Sequence, residues 1–186
     1  MDPALDEQIV SATQDLLIEE GFERLTMDAV ARRCGASKAT IYRRWPGKIA
    51  LVVAASTALL RPPQVPDTGS LREDLMECGR AYMQQDGRTV QVLANVINAS
   101  RHDPELRAAS REALGSPYAG LFDAVLARAV DRGLIGPDLD LEMLARVFPA
   151  VAYQQLAAQS RSITEDDVRR VVDAVLTPAL GIGTAG

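Results

Sequence analysis

Residues 26–48 read TMDAVARRCGASKATIYRRWPGK, and the fold turns on this stretch. Thr26 precedes a short helical segment over 27–34, and Gly35 is its natural stop, because glycine takes the left-handed conformation that ends helices. Ser37 is a good N-cap for a second segment over 38–45, which Pro46 and Gly47 break. Val30, Ala31 and Ile41 are spaced to pack inward and to fix the angle between the segments. Two short helices joined by Cys34-Gly35-Ala36-Ser37 form a helix-turn-helix pattern. The second helix presents Lys38, Ala39, Thr40, Arg43 and Arg44 near its N-terminal and outer faces. The major groove of B-DNA, about 12 Å wide, admits such a helix; arginine and lysine donate to guanine O6 and N7, while alanine and threonine methyls meet the thymine methyl. Tyr42 can donate to a phosphate, and Lys48 adds an ammonium beside the free N–H groups of the next helix start. Thr26 and Ser37, at the two helix starts, complete the candidate DNA-binding set. Spacing leaves open which of Arg43 and Arg44 faces bases and which faces backbone. Asp28 suits the positive end of its helix dipole.

The charge pattern agrees with one local anion contact. The 186 residues carry a net charge of −5. Residues 29–48 hold six basic side chains (Arg32, Arg33, Lys38, Arg43, Arg44, Lys48) and no acid, whereas residues 62–186 supply the entire negative excess. An acidic body with one basic patch touches an anion at one place. With 47% hydrophobic and 24% charged residues, the chain has the balance of a folded domain or two, which excludes disorder as its main state. The longest apolar candidate, 49–60, is interrupted by Ser56 and Thr57 and falls short of the roughly 18 residues of a membrane span. The N-terminus (MDPALDEQ) lacks a basic region followed by an apolar one, so no signal peptide is read. Cys34 and Cys78 are far apart, and with one histidine, His102, they cannot build a structural zinc site. A reducing cytoplasm is the expected compartment. No catalytic constellation appears, and neither a cofactor nor an enzymatic activity is expected.

Helical signals run along the rest of the chain. Leu5, Ile9, Ala12, Leu16 and Leu17 form an apolar stripe that Gly21 stops, and a fourth helix is expected over 48–60. Arg61–Gly69 (RPPQVPDTG) holds three prolines and marks a boundary. Beyond it, helices are expected from Ser70 to about 85, over 88–101, from Pro104 to about 114, from a Ser116 cap to Gly133, over 141–158, and from Thr164 to about 180. The fold class is all-α, with about nine to ten helices.

Gly21-Phe22, Leu25-Thr26, Val30-Ala31, Gly35, Ser37, Thr40-Ile41-Tyr42 and Lys48 together resemble the TetR family of bacterial transcriptional regulators over about residues 6–60. Trp45 stands where that family more often has phenylalanine, and Cys34 where alanine is commoner. The resemblance implies an all-helical homodimer: a DNA-binding domain over 1–47, a connecting helix over 48–60, and a helical ligand-binding and dimerisation domain over 61–186. It implies a ligand-responsive repressor released from a near-palindromic operator by a small molecule. The rival reading is a helical small-molecule-binding protein or enzyme that merely retains a helix-turn-helix shape.

Within the body the candidates for a ligand pocket are Met76, Tyr82, Met83, Gln91, Asn95, Asn98, Tyr118, Phe122 and Phe148. Gln91, Asn95 and Asn98 form an uncharged amide stripe, which is either a pocket lining or a polar face. The methionines and aromatics are either pocket wall or plain core. For the dimer face, helices 116–132 and 141–158 are expected, the first on its stripe of Leu121, Val125, Leu126 and Ala129; internal core is the alternative. Pro149 is expected to kink its helix.

Overall fold

The chain opens with α1 (Pro3–Arg24) in a computed structural model that describes residues 3–61, 63–83 and 86–182. Ile9, Ala12, Leu16 and Leu17 bury the apolar stripe of this helix. Gly21, at φ 77°, breaks it one turn early, and beyond the break Phe22 and Leu25 enter the same core. The short helices that follow are α2 (Met27–Cys34), α3 (Lys38–Arg44) and α4 (Lys48–Thr57). Thr26 accepts from the Ala29 N–H to start α2, and Ser37 accepts from the Thr40 N–H to start α3. Gly35 ends α2 in the left-handed region at φ 69°. The remaining helices are α5 (Leu71–Arg80), α6 (Gly87–Ser100), α7 (Pro104–Ser110), α8 (Ser116–Asp131), α9 (Leu141–Gln159), α10 (Glu165–Val171) and α11 (Thr177–Ala179). No strand occurs among the described residues.

Packing divides the chain into two compact units. The first comprises Met1–Arg61 and Asp86–Gly115. Its core joins Ile9, Leu17, Leu25, Val30, Ile41, Leu51, Val92 and Leu106. So α6 packs along α1, and α7 packs on α4 and α6, although both lie beyond the proline-rich boundary. The buried Gln14 links these elements: its amide donates to the Ala55 carbonyl at 2.8 Å and its oxygen accepts from Arg88, which pairs with Asp15 at 2.7 Å.

The second unit comprises Pro62–Gln85 and Ser116–Gly186. Leu75, Phe122, Leu126, Phe148, Val168 and Leu176 lie in its core. The stripe expected to form a dimer face on α8 is this core: Leu121, Val125, Leu126 and Ala129 are all buried within the unit. The proline-rich segment is clasped to the same unit. The Thr68 N–H and hydroxyl both donate to Asp74, Arg128 donates to the Pro66 carbonyl and to Asp74, and Arg132 grips Asp67 with two bonds of 2.8 Å.

Three boundaries differ from the sequence expectation. First, α5 gives way at residue 81 to a 3-10 turn over 81–83, and the expected end near residue 85 lies outside the described residues. Second, α8 does begin at Ser116, but as a continuation of the helical path from α7 and not as a separate start. A π-turn over 111–115 carries the backbone from α7 into α8, and the Ser116 side chain lies outside the described residues. Third, a second π-turn, over 172–176, interrupts the last helix. Each wide turn ends two residues before a proline, Pro117 or Pro178. A proline removes the i→i−4 hydrogen bond and crowds that carbonyl, and a π-turn provides the room. Pro149 has no such turn, and α9 runs on through it from Leu141 to Gln159.

Candidate nucleic-acid interface

The helix-turn-helix is anchored on one side and open on the other. Val30 and Ile41 are fully buried in the core of the first unit, which fixes α3 against α2. On the opposite side of α3, Lys38, Ala39, Tyr42 and Arg43 are exposed, with Tyr42 at 49%. Thr40 is half-buried and its hydroxyl lies 2.8 Å from that of Ser37. Thr26 and Ser37 are both exposed, but their hydroxyl oxygens already accept the capping N–H groups.

Half of the six basic side chains in the window are matched by acids from neighbouring helices. Arg33 donates to both oxygens of Glu19 on α1, and this bidentate pairing holds the Glu19 carboxyl below its ordinary range. The Lys38 ammonium lies 2.6 Å from Asp28 on α2. Arg44 makes an ion pair with Asp6 on α1 and reaches the Thr40 carbonyl of its own helix at 3.5 Å. The Lys48 ammonium donates to the Glu23 carbonyl at 3.3 Å and sits 4.0 Å from the Phe22 ring centroid. Burial there pushes its pKa down, and the nearby acids Glu23 and Asp103 oppose that shift. Among the described residues, Arg32, Arg43 and Lys48 have no ion-pair partner, and of these Lys48 is held by the Glu23 carbonyl and the Phe22 ring.

This separates the two arginines that spacing left together. Arg43 is exposed and unpaired, whereas the Arg44 side chain is only 8% exposed and is turned toward α1. Arg44 therefore leaves the set of groups that face outward. Asp6 and Glu19 escaped the sequence reading, since their partners lie 38 and 14 positions away and no motif joins them.

The body candidates also divide. Met76, Tyr82, Met83, Phe122 and Phe148 meet in the core of the second unit. The Tyr82 ring lies 5.4 Å from the rings of both Tyr118 and Phe148, and Phe122 stacks on Phe148 at 5.4 Å. Among the described residues the Tyr82 hydroxyl is buried without a hydrogen-bond partner, and burial raises the pKa of the phenol. Gln91, Asn95 and Asn98 belong to the first unit instead. Gln91 and Asn98 are exposed, and Asn95 donates to the Gln91 carbonyl of its own helix, the pattern of a polar face.

Comparison with known proteins covers both halves of the chain. The family model for bacterial regulatory proteins of the tetR family matches residues 9–55, and that for a tetracyclin repressor-like C-terminal domain matches residues 65–175. The chain is 37% identical to a DNA-binding transcriptional repressor TetR of Mycobacteroides abscessus, over 90% of each chain. It is 34% identical to an HTH-type transcriptional regulator of Mycobacterium tuberculosis, covering 93% of this chain and 86% of that one. The crystal structure of the TetR family transcription regulator SCO0332 superimposes with a TM-score of 0.65 at 30% identity, over 92% of this chain and 96% of that chain.

Proposed function

The chain belongs to the TetR family and is a helix-turn-helix transcriptional regulator, and from that premise we propose that it is a homodimeric repressor released from a near-palindromic operator by a small molecule. The functional division falls near residue 61, with DNA reading before it and effector binding and dimerisation after it. Each subunit lays α3 in a major groove, and the two read half-sites about one helical turn or a multiple apart. One observation carries this reading: the row of Ala39, Tyr42 and Arg43 is exposed on the helix whose opposite side, at Ile41, is fully buried. Arg43 is the base reader, Lys38 and Tyr42 contact the duplex beside it, and Lys48 approaches phosphate. Such a protein works in the cytoplasm, where the DNA is, and among the described residues no helix is long and apolar enough to cross a membrane.

For the partner subunit we assign α9 and the α10–α11 end in place of α8. Met143 and Tyr153 on α9 and Val175 before α11 are exposed large apolar side chains, which a partner subunit would cover. For the effector we assign the aromatic cluster around Tyr82. Its unsatisfied hydroxyl favours a largely apolar ligand with one group that exchanges a hydrogen bond. Selection of bound duplexes from a random library tests the central claim. An enriched inverted repeat supports dimeric operator reading; folded, dimeric protein that enriches nothing refutes it.

A further inference from the structure

We propose that Asp6, at the start of α1, is a positioning residue for DNA reading, acting through Arg44 at the end of the recognition helix. The inference rests on α3 being that helix. With only the seven residues Lys38–Arg44, α3 is too short to hold its own attitude. Its anchors are Ile41, buried in the core, Trp45, half-buried at its end, and the Arg44 side chain, which pairs with Asp6. The pair is well matched to both helices. Asp6 lies in the first turn of α1, where a carboxylate complements the positive dipole end, and Arg44 lies in the last turn of α3, where a cation complements the negative end. The Arg44 side chain is 8% exposed and that of Asp6 34%. Removing Asp6 leaves a buried guanidinium without its counter-charge, and the cheapest relief is for the last turn of α3 to swing until Arg44 is hydrated. Arg43, the neighbouring unpaired cation, moves with that turn. Bidentate donation to a guanine edge does not survive such a displacement. The contact thereby converts a charge near the start of the chain into the tilt of the reading helix.

The test compares Asp6→Asn, Arg44→Met and the double variant of the full chain, with wild-type protein as reference. Affinity is measured on the duplex that wild-type protein selects from a random library and on a random duplex, at several salt concentrations. Thermal melting establishes that each variant folds. Positioning predicts a loss of about tenfold on the selected duplex for each single variant, from one misplaced base contact. It also predicts no further loss in the double variant, no loss on random duplex and an unchanged salt slope. Three results overturn the proposal. Asp6→Asn binding the selected duplex as tightly as wild type, or tighter, means Asp6 does not position the helix. Loss in Arg44→Met alone, with a salt slope shallower by about one per subunit, makes Arg44 a direct phosphate contact. Equal proportional loss on both duplexes makes the pair a matter of general structure. Should Arg44→Met fail to fold, the near-isosteric Asp6→Asn decides the matter by itself. Failure of wild-type protein to select any duplex is a different result, and refutes the operator reading first.

Discussion

Lys38, the first residue of the recognition helix, holds its ammonium 2.6 Å from the carboxylate of Asp28 on the helix before it. The cation expected to approach DNA is thus partly neutralised by the neighbouring helix. Both side chains are more than half exposed, so the pair contributes little to folding. Its consequence is for binding, because Asp28 both occupies Lys38 and adds a negative charge near the duplex. Asp28→Asn is expected to tighten binding to all duplexes and to steepen the salt dependence by up to about one ion per subunit. Anisotropy titrations across a salt series check this; an unchanged slope would place Lys38 away from the phosphates.

Arg43 differs from the other cations of α3 in having no acid to leave. Arg43→Ala is expected to cost about 1–3 kcal/mol of operator binding and to relax preference at one position of each half-site. Repeating duplex selection with the variant checks the second part. A loss equal on every sequence would identify a phosphate contact instead.

Gly79 on α5 is packed closely against two other elements of the second unit. A Cβ there would lie 2.6 Å from Val168 Cγ1 and 3.0 Å from two Phe148 ring atoms. Replacing glycine by alanine inside a helix gains about 1 kcal/mol in propensity. Overpacking costs about 1–3 kcal/mol, and here neither neighbour gives way easily, since Val168 is β-branched and both side chains are fully buried. Gly79→Ala is expected to destabilise on balance, with a lower urea midpoint; a higher midpoint would show that the core yields.

Asp67, Asp167 and Asp173 accept from Arg132, Arg161 and Arg72, and these arginines hold their carboxyls below the usual range. A carboxyl whose native pKa is depressed stabilises the fold fully above its unfolded value of about 3.9 and loses that contribution as pH falls through the native value. The melting temperature should therefore be nearly flat from pH 7 to about 5 and fall below about pH 4. Asp167 also closes the capping box with Thr164 at the start of α10. Asp167→Asn should melt lower at neutral pH and fall less steeply in acid. An acid profile parallel to wild type would assign the sensitivity to other groups.

The helix-turn-helix was legible because its signals are local: Thr26, Gly35 and Ser37 specify their boundaries by backbone chemistry alone, and Ile41 falls on the inner face by period. What stayed hidden depends on partners distant in sequence. Nothing near Arg44 announces Asp6, so charge spacing alone could not separate it from Arg43. The stripe on α8 was visible, yet an apolar stripe looks the same whether it meets its own subunit or another, and it is covered by its own unit. The amides of α6 illustrate the converse, because their lack of charge resembles a lining while Gln91 and Asn98 are exposed. Pro117 is ambiguous in the same way, because a proline in the first turn fits both a separate helix start and a wide turn in a continuing helix.

The clasp on the segment after α4 constrains how the protein tolerates insertions. A proline-rich connector ordinarily accepts extra residues at little cost. Here three consecutive positions are engaged at once: the Pro66 carbonyl by Arg128, the Asp67 carboxylate by Arg132, and the Thr68 N–H and hydroxyl by Asp74. One residue added between Pro66 and Thr68 would put these partners out of step, whereas one added at 63–65 leaves every such bond in place. Length variation in this connector is therefore confined to its first few positions, and its second half has a fixed count.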